Sequence, residues 1–158
     1  MKFLRTPHFK EYVENLFVWS GKTSQAWDAQ KARDMFKETY YEDFNSLFWV
    51  MENVFPNSRR NGDDYEFITG DITHTNIKGD GRSAVIGKFI LTFNKQGPIL
   101  KFENPNFRHK HVTAGVINCW GGYLPSSAAI VKNGFASALM DLHNFATVSE
   151  GSILPGDK

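Results

Sequence analysis

Three histidines are the residues whose spacing best fits a chemical site. His109 and His111 are two positions apart, so in a strand both side chains point to one face, and His74 lies on an earlier predicted strand. A His-x-His pair joined by a third imidazole is one way in which β-rich proteins bind metals. Arg108 and Lys110 alternate with the pair and place positive charge where a cation would bind. We therefore predict solvated or hydrogen-bonded histidines, with no metal and no other cofactor.

Acid and base residues also occur close together, but their spacing separates them. Asp71 and His74 are three apart on a predicted strand, which points them to opposite faces. Asp141 and His143 are two apart on a predicted helix, about 200° around its axis. Cys119 has no base among its neighbours and is interpreted as a buried structural thiol. No catalytic residue is assigned. An enzyme stays an alternative, as a small-molecule lyase or isomerase with a histidine base in an aromatic pocket.

Four cations form a second candidate site. They lie on consecutive predicted strands, with aromatic residues between them: Lys88, Lys101, Arg108 and Lys110. A sheet face with cations and rings such as Phe102 and Phe107 binds single-stranded nucleic acid by neutralising phosphates and stacking on bases. The net charge of +1 provides no general attraction for a polyanion. Ordinary amphipathic strands therefore remain the competing interpretation of this pattern.

Aromatic residues are in excess, with 14 Phe, 5 Tyr and 4 Trp. They crowd the second predicted helical region, where Tyr40, Phe44 and Phe48 form one stripe. Tyr41 and Trp49 fall outside that stripe and are predicted to be exposed, although core filling explains most of the other rings. Exposed aromatic residues mark interfaces or lined pockets. The leading prediction is a non-enzymatic binding or assembly module that contacts a protein partner or a second copy of itself, and the runner-up is single-stranded nucleic-acid binding on the sheet.

Composition limits the class of protein. The chain has 158 residues, of which 41% are hydrophobic and 22% charged, values typical of a soluble globular protein with its own core. A single cysteine excludes an intramolecular disulfide and favours a reducing compartment. No apolar stretch is long enough to predict export or membrane insertion. We expect a cytoplasmic protein with no membrane partner.

Helical periodicity dominates the first third of the chain. Thr6 and Pro7 suit the N-cap and the first position of a helix, and apolar residues at helical spacing extend it to Gly21. A second helical region runs from Ser24 to Phe55, as one helix or two. These helices must carry the aromatic surface.

The apolar period changes to two after Pro56, which predicts strands. Four strands follow, and the short turns between them require antiparallel neighbours. Their predicted bounds are about residues 65–77, 83–93, 99–103 and 107–119. One side of the second strand is predicted to face the core: Val85, Phe89, Leu91 and Phe93.

Helical spacing returns after Pro125 and predicts a C-terminal helix from Ser126 to Phe145. Residues 1–146 are therefore predicted to form a single α+β domain with N-terminal helices, a four-stranded antiparallel sheet and a C-terminal helix. Residues 147–158 are predicted to be a loose tail.

The predicted hairpin from Ile90 to Phe102 resembles the closing hairpin of the SnoaL-like and nuclear transport factor 2-like folds, over 13 of the 158 residues. This resemblance implies a cone-shaped fold with a ligand pocket. Members of that superfamily usually end on the sheet, whereas this chain is predicted to end on a helix. No family is assigned on this segment.

Overall fold

The computed structural model describes residues 2–21, 28–94, 97–117 and 133–157. Within these ranges, a 3₁₀ helix (Lys2–Arg5) precedes three α-helices: α1 (Pro7–Gly21), α2 (Ala29–Asn53) and α3 (Phe135–Thr147). Nine strands lie within the described residues: β1 (Arg59–Asn61), β2 (Asp64–Ile68), β3 (Ile72–Asn76), β4 (Ser83–Gly87), β5 (Phe89–Asn94), β6 (Gly97–Phe102), β7 (Val112–Thr113), β8 (Val116–Ile117) and β9 (Val148–Ser149).

Side-chain caps explain where the first two α-helices begin. The Phe9 N–H donates to Thr6 Oγ1 at 3.3 Å, so α1 starts at the predicted place. The Asp28 carboxylate accepts from the Gln30 N–H at 2.8 Å and caps α2. From Ala29 to Asn53, α2 is one uninterrupted helix. The sequence left open whether this region holds one helix or two, and the structure has one. The predicted start near Ser24 lies outside the described residues.

The α+β class is confirmed, but the strands form two sheets. The larger is antiparallel, with six strands in the order β1-β2-β5-β6-β8-β7. The smaller has the order β4-β3-β9, with β3 and β4 antiparallel and β3 and β9 parallel. The sequence predicts one antiparallel sheet of four strands, and that detail is wrong. The described residues form two sheets, and β3 and β9 pair in parallel.

Two of the long predicted strands change sheet midway. The first divides into β2 and β3, and the second divides into β4 and β5 at Lys88. Gly87 has a φ of +77°, a conformation that glycine adopts at little cost, and it bends the chain from one sheet to the other. The bend also breaks the alternation of buried and exposed side chains along the predicted strand. Val85 is 62% exposed and Ile86 is fully buried, so the prediction that Val85 faces the core is wrong.

The fourth predicted strand is shorter than expected. Residues 107–111 contribute one bridge, between Arg108 and Ile153, and β7 and β8 form a small hairpin further on. Ala114 and Gly115 make its turn with φ values of 51° and 82°, the left-handed conformation that tight hairpins require. Cys119, where the predicted strand ends, lies outside the described residues.

The main core lies between the α-helices and the six-stranded sheet. Fully buried rings fill it: Phe9, Phe36, Phe55, Tyr65, Phe67 and Phe89. The three side chains beyond Gly87 on the predicted core side are buried as predicted: Phe89, Leu91 and Phe93. Gly134 precedes α3 at a close approach to α2, where an added Cβ would clash with the Asp43 carboxylate. The predicted start of α3 at Ser126 lies outside the described residues, and the helix ends at Thr147.

The C-terminal segment packs against the domain, unlike the loose tail that the sequence suggests. Strand β9 pairs with β3, and further on Ser152, Ile153 and Asp157 are hydrogen-bonded to Asn76, Arg108 and Arg82. Leu154 is buried with Ile86 and Phe107 in a second, smaller hydrophobic cluster. Burial of Leu154 gives this segment the apolar contact that a free tail lacks.

Candidate functional site

The outer side of α2 carries a patch of exposed rings. Tyr41 is 67% exposed, Trp49 57% and Phe48 38%. Phe44 lies beside them and is partly buried against the main core. Phe44 and Phe48 are three and seven positions from Tyr41 and share its side of the helix, and Trp49, eight positions from Tyr41, lies about 80° around the helix from it. We call Tyr41, Phe44, Phe48 and Trp49 the aromatic face.

Two cations lie over the aromatic face from the N-terminal helices. The Arg5 guanidinium carbon is 5.3 Å from the Phe44 ring centre. Lys10 Nζ is 4.5 Å from the Tyr41 ring centre and also donates a hydrogen bond to its hydroxyl. Both cations line a groove of about 410 Å³ between the N-terminal helices and α2, and no carboxylate lines it within the described residues. Cation–π contacts of this kind hold the rings in place.

A larger cleft, of about 690 Å³, lies on the sheet side of the molecule. It is lined by part of β6, by parts of the chain between residues 104 and 115, and by Gly151 and Ile153. Lys101, Arg108 and Lys110 all line it, so three of the four predicted cations converge. We call this site the cationic cleft.

The fourth predicted cation does not join the others. Lys88 lies between β4 and β5, is partly buried, and is absent from the lining of the cationic cleft. Its backbone N–H donates to a Glu103 carboxylate oxygen at 3.3 Å. The change of sheet at this position explains the separation, because it removes Lys88 from the strand face that the sequence pattern assumes.

The charges of the cationic cleft are not neutralised by neighbouring acids. Within the described residues, no carboxylate lines the cleft or lies within ion-pair distance of its three cations. The acid that Lys110 influences is Glu150, which pairs with Lys78 at 2.6 Å. That hydrogen bond, with a smaller Coulombic contribution from Lys110, lowers the pKa of Glu150. The cleft therefore presents net positive charge.

The rings beside these cations line the cleft but expose little of their surface. Phe107 is buried in the smaller cluster, and its ring centre is 4.8 Å from that of the partly buried Phe102. Stacking on a nucleic-acid base requires an open ring face. The prediction that Phe102 or Phe107 offers a stacking surface therefore lacks support among the described residues, although the predicted clustering of cations is present.

One wall of the cationic cleft is formed by the C-terminal segment. Arg108 and Ile153 exchange two backbone hydrogen bonds of 2.9 Å. Asn76 binds the backbone of Ser152 through both ends of its side-chain amide, at 3.0 Å each. The Lys110 N–H donates to Ser152 Oγ at 3.0 Å. These bonds join residues more than 40 positions apart, and no local sequence signal could have identified the wall.

His74 is buried beneath the C-terminal end of α3. Its Nδ1–H donates to the Ala146 carbonyl at 2.8 Å, so the ring is protonated there. Its Nε2 then accepts from the Ser149 hydroxyl at 2.9 Å, and Ser149 accepts in turn from Ser152. Burial lowers the pKa of His74, which keeps the ring neutral.

His109 lies next to His74, with 5.4 Å between ring centres, and forms part of the floor of the cationic cleft. Its Nε2–H donates to the Phe145 carbonyl at 2.8 Å, and its Nδ1 accepts from the His111 N–H at 3.1 Å. Burial, together with smaller repulsive contributions from His74 and His111, lowers the pKa of His109 to about 4. The two buried imidazoles therefore satisfy carbonyls that the end of α3 leaves without helical partners.

These contacts determine what the histidines can do. The sequence left open whether His74, His109 and His111 meet, and their rings do lie together. Every ring nitrogen of His74 and His109 already has a protein partner. Among the described residues, no group of three or more His, Cys, Asp or Glu side chains has the arrangement of a metal site. The interpretation as hydrogen-bonded histidines agrees with this geometry.

Ser149 and His74 resemble a nucleophile and its base, a pair that the sequence could not indicate because 75 positions separate them. Both residues are buried. A substrate has no route to a hydroxyl that is buried and already bonded to Ser152. The pair therefore acts as part of the hydrogen-bonded interior.

Comparisons with protein-family models, curated protein sequences and solved structures found no match for this chain. In the part of the chain that the structure describes, no helix combines the length and apolar character needed to cross a bilayer. The fold is an α+β domain with two separate candidate binding surfaces, and function must be argued from them.

Proposed function

We propose that this protein is a non-enzymatic assembly module, and that the aromatic face of α2 binds a second copy of the chain. The exposure of Tyr41 and Trp49, 67% and 57%, is the observation that carries the proposal. Single exposed apolar residues are common, whereas a contiguous group marks an interaction surface. Fully burying one side chain of Phe size contributes about 1.5–3 kcal/mol, and Tyr and Trp are enriched among residues that dominate binding energy.

The state of the buried histidines supports a non-enzymatic role. A general base needs a free nitrogen lone pair within reach of a substrate. His109 reaches the cationic cleft only as part of its floor, and both of its ring nitrogens are occupied. For His109 to act as a base, its contact with α3 would first have to break. A single cysteine in 158 residues favours a reducing compartment, and we place the module in the cytoplasm.

Charges at the two edges of the aromatic face favour a second copy as the partner. Arg5 and Lys10 line the edge beside the N-terminal helices. Glu38 and Glu42 are exposed, about 60° and 100° around the helix from Tyr41, towards the other edge. A two-fold axis parallel to α2 would bring the cationic edge of one copy against the acidic edge of the other. Such a self-complementary contact closes as a dimer.

Size-exclusion chromatography with light scattering, over a range of protein concentrations, tests the proposal. We expect the mass of a dimer at high concentration. The double variant Tyr41→Ser/Trp49→Ser should be monomeric, and it should fold because both side chains are exposed. Val85→Thr is the matched control, since it removes an exposed apolar residue from β4, and it should remain dimeric.

A charge exchange tests the orientation of the dimer. Arg5→Glu and Glu42→Arg should each weaken association, and the combined variant should restore it. A wild-type chain that stays monomeric at every concentration would overturn the proposal and leave a foreign protein as the occupant to test. A dimer that survives Tyr41→Ser/Trp49→Ser would place the interface elsewhere and would overturn it as well.

A further inference from the structure

We infer that the cationic cleft binds a small organic molecule carrying two or more phosphate groups, of the size of a nucleoside diphosphate or triphosphate. The cleft shares no residue with the aromatic face, so this inference goes beyond the proposed function and can fail independently of it. The charge of the cleft, the construction of its wall and its size support it.

The positive charge of the cleft favours an anionic ligand. Lys101, Arg108 and Lys110 line one concave site, and no carboxylate lines it within the described residues. Because the three cations line the same site, a ligand with several negative charges is attracted by all of them. Arg presents a planar fork of donors that matches phosphate oxygens, and Lys supplies a compact charge. A phosphate chain satisfies all three.

The wall of the cleft is preorganised. The backbone bonds between Arg108 and Ile153 fix the position from which the Arg108 side chain extends. Lys110 is held by its N–H bond to Ser152. Gly151, with a φ of +72°, lies beside the Lys110 side chain, and a Cβ added there would be 3.5 Å from Lys110 Cδ. Because Arg108 and Lys110 extend from a hydrogen-bonded wall and Lys101 from a paired strand, little ordering of the backbone opposes binding.

The size of the cleft and the burial of its rings favour a small ligand over a nucleic-acid strand. Its volume of about 690 Å³ lies in the range of small-molecule sites. Strands of nucleic acid bind through exposed rings on which successive bases stack, whereas Phe107 is buried and Phe102 is only partly exposed. Pro105, Val112 and Ile153 add an apolar part to the lining. A molecule with a phosphate chain and an organic body matches both parts.

Isothermal titration calorimetry at low salt, with divalent metal ions in the buffer chelated, tests the inference on the full chain. The probes are ATP, tripolyphosphate, adenosine and a short oligothymidylate. We expect ATP to bind more tightly than tripolyphosphate, because only ATP also contacts the apolar part of the cleft. Adenosine, which has no phosphate, should show no measurable binding. Affinity for ATP should fall as salt is raised, since the attraction is largely between charges.

Neutralising substitutions locate the site. Lys101→Gln and Arg108→Gln should each weaken ATP binding by about tenfold or more, the effect of losing a hydrogen bond to a charged group. Lys88→Gln is the matched control, since it removes a cation from the same region outside the cleft, and it should change the affinity by less than about twofold. Circular dichroism of each variant checks that it is folded.

Several results would overturn the inference. No binding of either ATP or tripolyphosphate by the folded wild-type chain would show that the three cations are merely solvated. Tighter binding of the oligothymidylate than of ATP, lost in Lys101→Gln, would assign the cleft to single-stranded nucleic acid instead. ATP binding that persists in the combined Lys101→Gln/Arg108→Gln variant would place the ligand elsewhere.

Discussion

The interior of this protein has two regions that are stabilised in different ways. The main core beneath the helices is filled with rings, such as Phe36, Phe67 and Phe89, whose burial needs no hydrogen-bond partner. The region beneath the smaller sheet and the end of α3 contains buried polar side chains, which we call the polar layer: His74, Asn76, His109, Ser149 and Ser152. Each of these five side chains makes at least one hydrogen bond.

The comparison shows why the two candidate surfaces differ. The aromatic face lies on a helix anchored in the main core, which holds it through shape and apolar area. The cationic cleft lies on the polar layer, which positions its wall through directed bonds and a neutral floor at His109. Substitutions that change side-chain volume should therefore destabilise the main core, whereas protonation or the loss of one hydrogen-bond partner should destabilise the polar layer.

The largest effect is expected from a cavity in the main core. Phe67 is fully buried, and its ring centre lies 5.6 Å from that of Phe135 and 6.2 Å from that of Phe93. Phe67→Ala should lower the free energy of unfolding by about 3–5 kcal/mol. Urea denaturation at two pH values measures this, and the loss should be the same at both. A loss that depends strongly on pH would contradict the division between the two regions.

Acid should weaken the polar layer. The unfolded chain binds a proton at His109 near its ordinary pKa of 6.5, whereas the folded chain does so only at about 4. Stability from the neutral ring is therefore complete above pH 6.5 and is lost as the pH falls towards 4. The contribution from His109 is about 3 kcal/mol. His74 and His143, whose pKa values burial also lowers, act in the same direction.

Denaturation curves between pH 7 and pH 4 measure that loss. His109→Gln should reduce the slope of the unfolding free energy over this range by up to about 1.4 kcal/mol per pH unit. His111→Asn is the matched control, since it leaves both buried rings in place, and its slope should stay close to that of the wild type. Equal slopes in the wild type and His109→Gln would show that His109 does not control the acid sensitivity.

A smaller effect is expected from one partner in the polar layer. Asn76→Ala removes both side-chain bonds to the backbone of Ser152 and leaves a buried N–H and carbonyl unpaired. The unfolding free energy should fall by about 2 kcal/mol, and the Ser152 amide should exchange with solvent faster. Thr73→Ala changes an exposed residue of the same strand and should cost less than about 0.5 kcal/mol. Unchanged exchange at Ser152 would argue against the role of Asn76 in the wall.

Much of the helical structure and part of the candidate sites follow from local patterns. The caps Thr6 and Asp28 and the apolar spacing of α2 depend on residues only a few positions apart. The exposure of Tyr41 and Trp49 follows from the same spacing, because a helix presents fixed angular positions to the core. The sheet was harder to predict, because an unbroken alternation gives no sign that the chain changes sheet at Gly87.

The sequence by itself therefore determined the α+β class, the helix start at Thr6, the burial of most rings and the exposure of Tyr41 and Trp49, whereas Phe48, which its spacing placed on the stripe with Tyr40 and Phe44, is exposed as well. Only the tertiary structure decided that Lys101, Arg108 and Lys110 converge while Lys88 does not, and that His109 binds the end of α3. The physical reason is that periodicity reports which side of an element is apolar. Periodicity does not say which distant element will form hydrogen bonds with the polar groups of that side. Here the hydrogen-bonded residues are 36 to 76 positions apart in the chain.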